Sequence, residues 1–280
     1  MRGLWSTNGF SMPNFFQKYG YYLWSIFELL TGFEDPGMVI KIFLKTTSPG
    51  LKNIRLRREG LAFTVRSAMD VWSIKETFLD RFYERCGTPI EDGWIILDIG
   101  GGIGEFTLFA AQDHPGNTVF AFEPFPESLN LLKANLELNR IANVKAYEDA
   151  IWSKKGYLKI DTATGEPSQF TSREPDASLP ENDPAIVPAI SLADAFARLH
   201  LDRCDLLKLD CEGAEYPILL NTPGGLLEKI DRIILEYHDN VAGHTHQDLE
   251  KFLSEVGYKV QITPNLVHAD LGYLFAQRVP

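Results

Sequence analysis

An apolar run that breaks into closely spaced glycines constrains this chain more than any other feature. Residues 94–99 are apolar apart from Asp98, and Gly100, Gly102 and Gly104 follow before a second apolar stretch begins. A strand, a glycine turn and a helix in this order form a nucleotide-binding loop, because glycine lets the backbone approach a ligand closely. The sequence therefore predicts that Asp98 and the three glycines bind a cofactor.

The spacing of these glycines separates two kinds of cofactor. In the dinucleotide fingerprint G-x-G-x-x-G, counted from Gly100, Glu105 would stand where a pyrophosphate needs bare backbone. This disfavours a nicotinamide-dependent oxidoreductase. An acidic residue followed by G-x-G-x-G instead resembles motif I of the class I methyltransferases. Their cofactor, S-adenosylmethionine (SAM), carries no phosphate, so the loop can tolerate Glu105.

Charge and cysteine content narrow the partners and the compartment. The formal net charge of the 280-residue chain is −11, so it repels a phosphate backbone and no nucleic-acid partner is expected. The basic run 52–58 is interpreted as a solvated face. Three cysteines without a CxxC pair are typical of a reducing compartment, and a cytoplasmic location is expected.

Apolar runs and amphipathic segments alternate from residue 94 onward, which predicts an α/β fold with a doubly wound, mostly parallel sheet. The last two strands are expected to form an antiparallel pair at the sheet edge. The predicted strands are 94–99, 118–122, 143–150, 205–210, 232–237, 258–263 and 272–277, and the predicted helices are 103–112, 126–139, 191–199, 213–221 and 245–256.

Three segments around this core are predicted to have separate roles. Residues 1–52 form an N-terminal helical extension, 53–90 a β-hairpin and a helix over 71–86, and 91–280 the SAM-binding domain. The aromatic run 19–33 is too short for a transmembrane segment; it is interpreted as a docking helix, with contact to a membrane surface or to a second subunit as the alternatives. The proline-rich stretch 162–188 is predicted to be a mobile lid.

Two acids at strand ends are candidates for the nucleoside half of the cofactor. Glu123 follows the second strand, where a carboxylate takes both hydroxyls of a ribose. Asp149 ends the third predicted strand and is expected to accept from the adenine amino group, although its neighbour Glu148 is an alternative.

The catalytic candidates come from two later strands. Lys208 and Asp210 share one face of a strand, and Glu236 and His238 share one face of the next. If the two strands are neighbours, Asp210, Glu236 and His238 form a cluster that serves as an acid-base set or holds a divalent metal. A Lys–carboxylate network that only fixes the end of the sheet is the structural alternative.

With these residues the chain resembles the FkbM family of SAM-dependent methyltransferases over about residues 53–275. The resemblance rests on Asp98-Ile-Gly-Gly-Gly-Ile-Gly104, on Phe122-Glu-Pro124 and above all on Lys208-x-Asp210-x-Glu212-Gly213-x-Glu215. It implies a seven-stranded Rossmann-like sheet with one reversed edge strand, and O-methylation of a small-molecule or glycan hydroxyl. A non-catalytic SAM-binding scaffold is the alternative from another class.

Overall fold

The structure, a computed structural model, describes residues 15–160, 174–180, 183, 185–239, 243–265 and 267–279. The elements in chain order are α1 (Phe15–Gly32), α2 (Pro36–Phe43), β1 (Lys52–Arg55), β2 (Ala62–Val65), α3 (Ala68–Phe78), α4 (Phe82–Cys86), β3 (Ile95–Ile99), α5 (Glu105–Gln112), β4 (Thr118–Phe122), α6 (Pro126–Leu138), β5 (Val144–Tyr147), β6 (Ala150–Trp152), β7 (Gly156–Lys159), β8 (Ile186–Ser191), α7 (Leu192–Leu199), β9 (Leu206–Leu209), α8 (Glu215–Leu220), α9 (Gly224–Leu227), β10 (Arg232–His238), α10 (His246–Glu255), β11 (Tyr258–Pro264) and β12 (Leu271–Arg278).

Seven of these strands form one sheet in the order β11-β12-β10-β9-β3-β4-β5. The strands from β10 to β5 run parallel, whereas β12 is antiparallel to both β10 and β11. The predicted doubly wound, mostly parallel sheet is confirmed. The reversed strand lies one position in from the edge rather than at the edge, because β11 pairs on its outer side.

Polar side chains at the centre of this sheet follow from the register. Asp98 on β3 lies between Ala121 of β4 and Lys208 of β9. Strands of a parallel sheet are covered on both faces, so charged residues there must be paired. The register brings the acid and the lysine together in the interior.

Two predicted elements are each split in the structure. The helix expected over 71–86 is divided into α3 and α4, because Arg81 adopts a left-handed backbone with φ 53°. The strand expected over 143–150 is divided into β5 of the large sheet and β6 of a second sheet. Both predictions merged neighbouring apolar segments that have no glycine or proline between them.

That second sheet was not predicted. Its order is β6-β8-β7. The last of these strands in the sequence, β8, includes residues 186–188 of the predicted lid. Pro188 fits because its partner Tyr157 directs its own N–H and C=O to Asp176 instead. Residues 186–188 are therefore a strand and not a lid; residues 162–173, 181, 182 and 184 of that prediction lie outside the described residues.

The predicted hairpin is confirmed as β1 and β2, and two asparagines fasten it to the core. Asn139 accepts from the N–H of Ala62 at 2.9 Å and donates to its C=O at 2.7 Å. Asn135 accepts from Thr64 N at 2.7 Å and donates to the carbonyl of Ile103 at 2.9 Å. The hairpin thereby supports the glycine turn that carries Ile103.

Candidate active site

A cavity of about 690 Å³ opens at the carboxyl ends of β3, β4, β9 and β10. Ligands of open α/β sheets bind at this edge, so the position agrees with the sequence prediction. One wall comes from α3 through Trp72 and Glu76, and another from the second sheet through Ile151. The cavity therefore combines aromatic and apolar walls with an acidic floor.

The glycine turn lies against the end of β9. Gly100, Gly102 and Gly104 have φ of +76°, +53° and +94°, a region that glycine enters without steric cost. A Cβ on Gly100 would lie 1.9 Å from the backbone oxygen of Asp210. No side chain fits there, so the turn can approach β9 only as glycine. Gly100 and Gly102 line the cavity, and Gly104 lies behind them.

Lys208 and Asp98 lie beneath the turn and not in the cavity. The Lys208 Nζ is 3.0 Å from Asp98 Oδ1 and donates to the Gly100 carbonyl at 2.7 Å. Burial lowers the pKa of Lys208, but the charges of Asp98, Asp210 and Glu105 outweigh burial and raise it. Neither Lys208 nor Asp98 is among the cavity-lining residues, so both support the turn, and the expected direct roles in catalysis and cofactor contact do not follow from the geometry.

Glu123 is buried at the end of β4 and faces the cavity. Its two carboxylate oxygens accept from Gly102 N at 2.8 Å and from Phe125 N at 2.9 Å. Burial raises the pKa of Glu123 to about 7, against the lowering effect of these two hydrogen bonds. Each oxygen keeps a further lone pair, so Glu123 can anchor the turn and still accept from a diol.

Asp149 is not brought to the cavity. Its Oδ2 lies 2.5 Å from the Arg198 guanidinium of α7, and it is absent from the residues that line the cavity. Asp149 lies in the two-residue connection between β5 and β6, and its side chain pairs with α7. The ion pair uses one carboxylate oxygen, and the expected contact with adenine stays a prediction.

The predicted cluster of Asp210, Glu236 and His238 is formed. β9 and β10 are neighbours, and one ligand atom from each of the three residues lies within 4.8 Å of the other two. The hydroxyl of Tyr83 donates to Asp210 Oδ2 at 3.0 Å. All three residues line the cavity.

His238 is held by two further acids. Its Nδ1 is 3.2 Å from Oε1 of the fully buried Glu215, and its Nε2 is 3.5 Å from Oε2 of Glu212. Glu212 has φ 54°, a conformation that is uncommon without glycine and that clusters at functional sites. Burial lowers the pKa of His238, but the hydrogen bond with Glu215 and the charges of Glu215, Asp210 and Glu212 raise it to about 10. With this pKa the ring holds its proton at neutral pH, so His238 is poorly suited to act as the base of the cluster.

The pKa values of the neighbouring carboxyls are raised as well, which for an acid favours the uncharged form. Burial, and then repulsion from Asp210 and Glu76, raises the pKa of Glu236 well above its usual range. Burial also raises the pKa of Glu76 to about 7, although the indole N–H of Trp72 donates to this carboxyl. Acids with pKa values near neutrality are suited to take up a proton at physiological pH.

Several cavity residues were not identified as site residues from the sequence. For Glu105, its position could have indicated a role in the site, because it directly follows the last glycine of the turn at the start of α5. Arg66 lies in the bend before α3. The others lie on helices and strands whose periodicity predicts only packing, and contact with the cavity depends on how the chain folds back. These residues are Arg66, Trp72, Glu76, Tyr83, Glu105 and Tyr273.

Residues 98–260 match the family model described as the methyltransferase FkbM domain. This match covers more than half of the chain. The chain belongs to the FkbM methyltransferase family.

Two relatives show how the FkbM similarity extends along the chain. Methyltransferase 1 of Beauveria bassiana is 30% identical over 182 residues, which cover 59% of this chain and 72% of the relative. The 31-O-demethyl-FK506 methyltransferase FkbM of Streptomyces tacrolimicus is 27% identical over 215 residues, covering 68% of this chain and 82% of the relative. Among solved structures, a precorrin-6y C5,15-methyltransferase from Geobacter metallireducens aligns at 13% identity with a TM-score of 0.44, covering 80% of this chain and 97% of that one.

As an FkbM family member the protein is a SAM-dependent methyltransferase, and the cavity fits that cofactor in charge. SAM carries two cationic groups, and the cavity presents carboxylates in excess of cations. One of them, Glu105, has an Oε2 that is buried without a hydrogen-bond partner among the described residues. Burial raises the pKa of Glu105 to about 8 despite the charge of Lys208. Such an acid is positioned to receive an ammonium or sulfonium group.

Proposed function

We propose that this methyltransferase transfers the methyl group to a hydroxyl oxygen of a sugar-like or natural-product-like acceptor. The cluster of Asp210, Glu236 and His238 on the cavity floor carries this proposal, because a hydroxyl must lose its proton when it is methylated. The name of the Streptomyces tacrolimicus relative describes O-methylation of a natural product. Aromatic walls at Trp72 and Tyr83 favour an acceptor with an apolar body.

The chemistry divides between the cofactor and the chain. Bound SAM supplies a methyl group on a positively charged sulfur. The chain must hold the acceptor oxygen in line and take its proton, and these two effects supply the rate. In our proposal Asp210, oriented by Tyr83, takes the proton, while the His238 cation and the Glu236 carboxyl hold Asp210 in place. Lys208 and Asp98 are positioning residues of the glycine turn, and Glu123 accepts from the ribose.

A divalent metal is the second candidate for the same cluster, favoured by the spacing of its three ligand atoms. His238 would bind through Nε2 after losing its proton, with Nδ1 oriented by the buried Glu215. A carboxylate that orients a metal-bound histidine is the usual arrangement of such sites. In this version the metal would lower the pKa of the acceptor hydroxyl.

Methyl transfer from radiolabelled SAM to a panel of hydroxylated glycosides and polyketides tests the proposal. We expect label on members with a free hydroxyl and none on their O-methylated counterparts, with full activity in EDTA. Activity that disappears with EDTA and returns with Mg²⁺ or Mn²⁺ would select the metal version. SAM binding without transfer to any hydroxyl would contradict O-methylation.

A further inference from the structure

The helix α1 exposes its apolar side chains. Spacings of three and four residues place them along one stripe of the helix. Leu23 is 70% exposed. The exposed members of this outer face are Tyr19, Tyr22, Leu23, Trp24, Ile26, Phe27 and Leu30.

The opposite face of α1 carries polar side chains that fix it to the domain. The buried Lys75 Nζ of α3 is 2.8 Å from Ser25 Oγ, 3.2 Å from Glu28 Oε2 and 3.3 Å from Tyr21 OH. Turning the helix to bury its apolar side would take three polar partners from a lysine in the interior, which is unfavourable. The outward direction of the apolar face is therefore built into the fold.

The charge of this part of the chain differs from that of the whole. Residues 1–58 contain eight Lys and Arg against three Asp and Glu, a formal charge of +5, whereas the complete chain carries −11. Lys41, Lys45 and Arg58 are exposed in this segment. An anionic surface is attracted to it, and a second copy of the same segment is repelled.

We propose that the outer face of α1 lies on an anionic lipid bilayer, with its apolar side chains inserted at the level of the headgroups. Trp24, Tyr19 and Tyr22 are the residue types that collect at this level, since their rings combine apolar area with a polar group. The basic residues of the segment supply attraction to anionic lipid, worth about fivefold in affinity for each Lys or Arg near the surface. Among the described helices, none has the length and hydropathy of a membrane-spanning segment.

Sedimentation with lipid vesicles tests this docking with the full chain. We expect the protein to bind vesicles of phosphatidylcholine with phosphatidylserine, to bind phosphatidylcholine alone weakly, and to dissociate at raised salt. Substitution of three outer-face residues should lower the partition coefficient roughly tenfold or more, because the inserted apolar area is lost. The triple variant is Leu23→Ser, Ile26→Ser and Phe27→Ser.

Matched controls separate the outer face from exposed apolar residues and charges in general. The apolar control changes Leu138 and Val279, which are 47% and 58% exposed, to Ser. The charge variant Lys41→Glu with Arg58→Glu should also lose about tenfold or more, whereas Lys251→Glu with Lys259→Glu should not. A rise in melting temperature on adding SAM shows that each variant is folded.

Three outcomes would overturn the proposal. The first is equal binding of wild type to neutral and anionic vesicles. The second is unchanged vesicle binding by the triple variant. The third is absence of vesicle binding together with a dimer, seen by analytical ultracentrifugation, that the triple variant abolishes; a second copy would then cover the face.

Discussion

Two lysines are buried in the described part of this protein, and they differ in how fully their surroundings balance the charge. Lys75 binds both oxygens of Asp80 at 2.8 and 2.7 Å, together with partners from α1. Burial, and then Asp80, raises the pKa of the nearby Glu28. All of these partners lie away from the cavity, so the network is closed.

Lys208 has a closed pair with Asp98 on one side and an open acidic cavity on the other. Beyond the glycine turn lie Asp210, Glu236 and Glu105, and His238 is the cation among them. The pKa values of Glu105 and Glu236 are raised mainly by burial. The comparison shows that a buried lysine alone does not identify a functional site. Carboxylates that lack a cationic partner identify it, because the cofactor of this site is cationic.

The largest expected effect separates the two lysines directly. Lys75→Met and Lys208→Met should each lower the free energy of unfolding by about 3–5 kcal/mol, because each leaves a buried aspartate without its cation. Only Lys208→Met should also weaken SAM binding, roughly tenfold, since the carbonyl of Gly100 loses a hydrogen bond from a charged donor. Denaturant unfolding and titration calorimetry measure the two quantities. Equal SAM affinities in the two variants would remove the distinction between the networks.

The next largest effect concerns Glu123 and the affinity of the cavity for SAM. Glu123→Ala should weaken SAM binding by roughly 1.5–3 kcal/mol, the range for hydrogen bonds to a charged group. Glu127→Ala is the matched control, because the Glu127 side chain also lies at the cavity but is 74% exposed. Unchanged affinity in the Glu123 variant, measured by calorimetry, would show that this acid only holds the glycine turn.

A smaller effect concerns pH. The pKa values of Glu123 and Glu105 rise from 4.5 to about 7 and about 8 in the folded protein, chiefly through burial. The folded state then binds more protons than the unfolded state, so stability is greatest at mildly acidic pH and falls as pH rises from about 4.5 through 8. Glu105→Gln should reduce this fall by roughly 2 kcal/mol between pH 5.5 and 7.0.

Unfolding curves at those two pH values provide the check, with the exposed Glu91→Gln as control. SAM should flatten the dependence, because its cations compensate the same carboxylates. Stability that rises over this pH range would contradict an acidic, uncompensated cavity.

The glycine turn, the strands and the sheet edge that carries the cluster could be predicted, because local sequence pattern and strand geometry determine them. Glycine spacing located the turn, and alternation located the strands, so Asp210, Glu236 and His238 could be placed on one edge before the structure was known. The partners of these residues could not be predicted. Tyr83 binds Asp210 from 127 positions away in the sequence. Arg198 pairs with Asp149 in a connection between two strands that were predicted as one. Charge states depend on burial and neighbours, so the pKa of His238 also required the three-dimensional arrangement.

The most direct test of the central claim is single-turnover methyl transfer by Asp210→Asn and His238→Ala, using a hydroxylated acceptor that the wild type methylates. The account predicts that both variants bind SAM with nearly wild-type affinity and lose the transfer rate roughly a hundredfold or more, as expected when a positioned proton acceptor or its orienting partner is removed. The exposed Asp202→Asn should keep the wild-type rate. Near wild-type transfer by both cluster variants would contradict the claim and make the cluster structural.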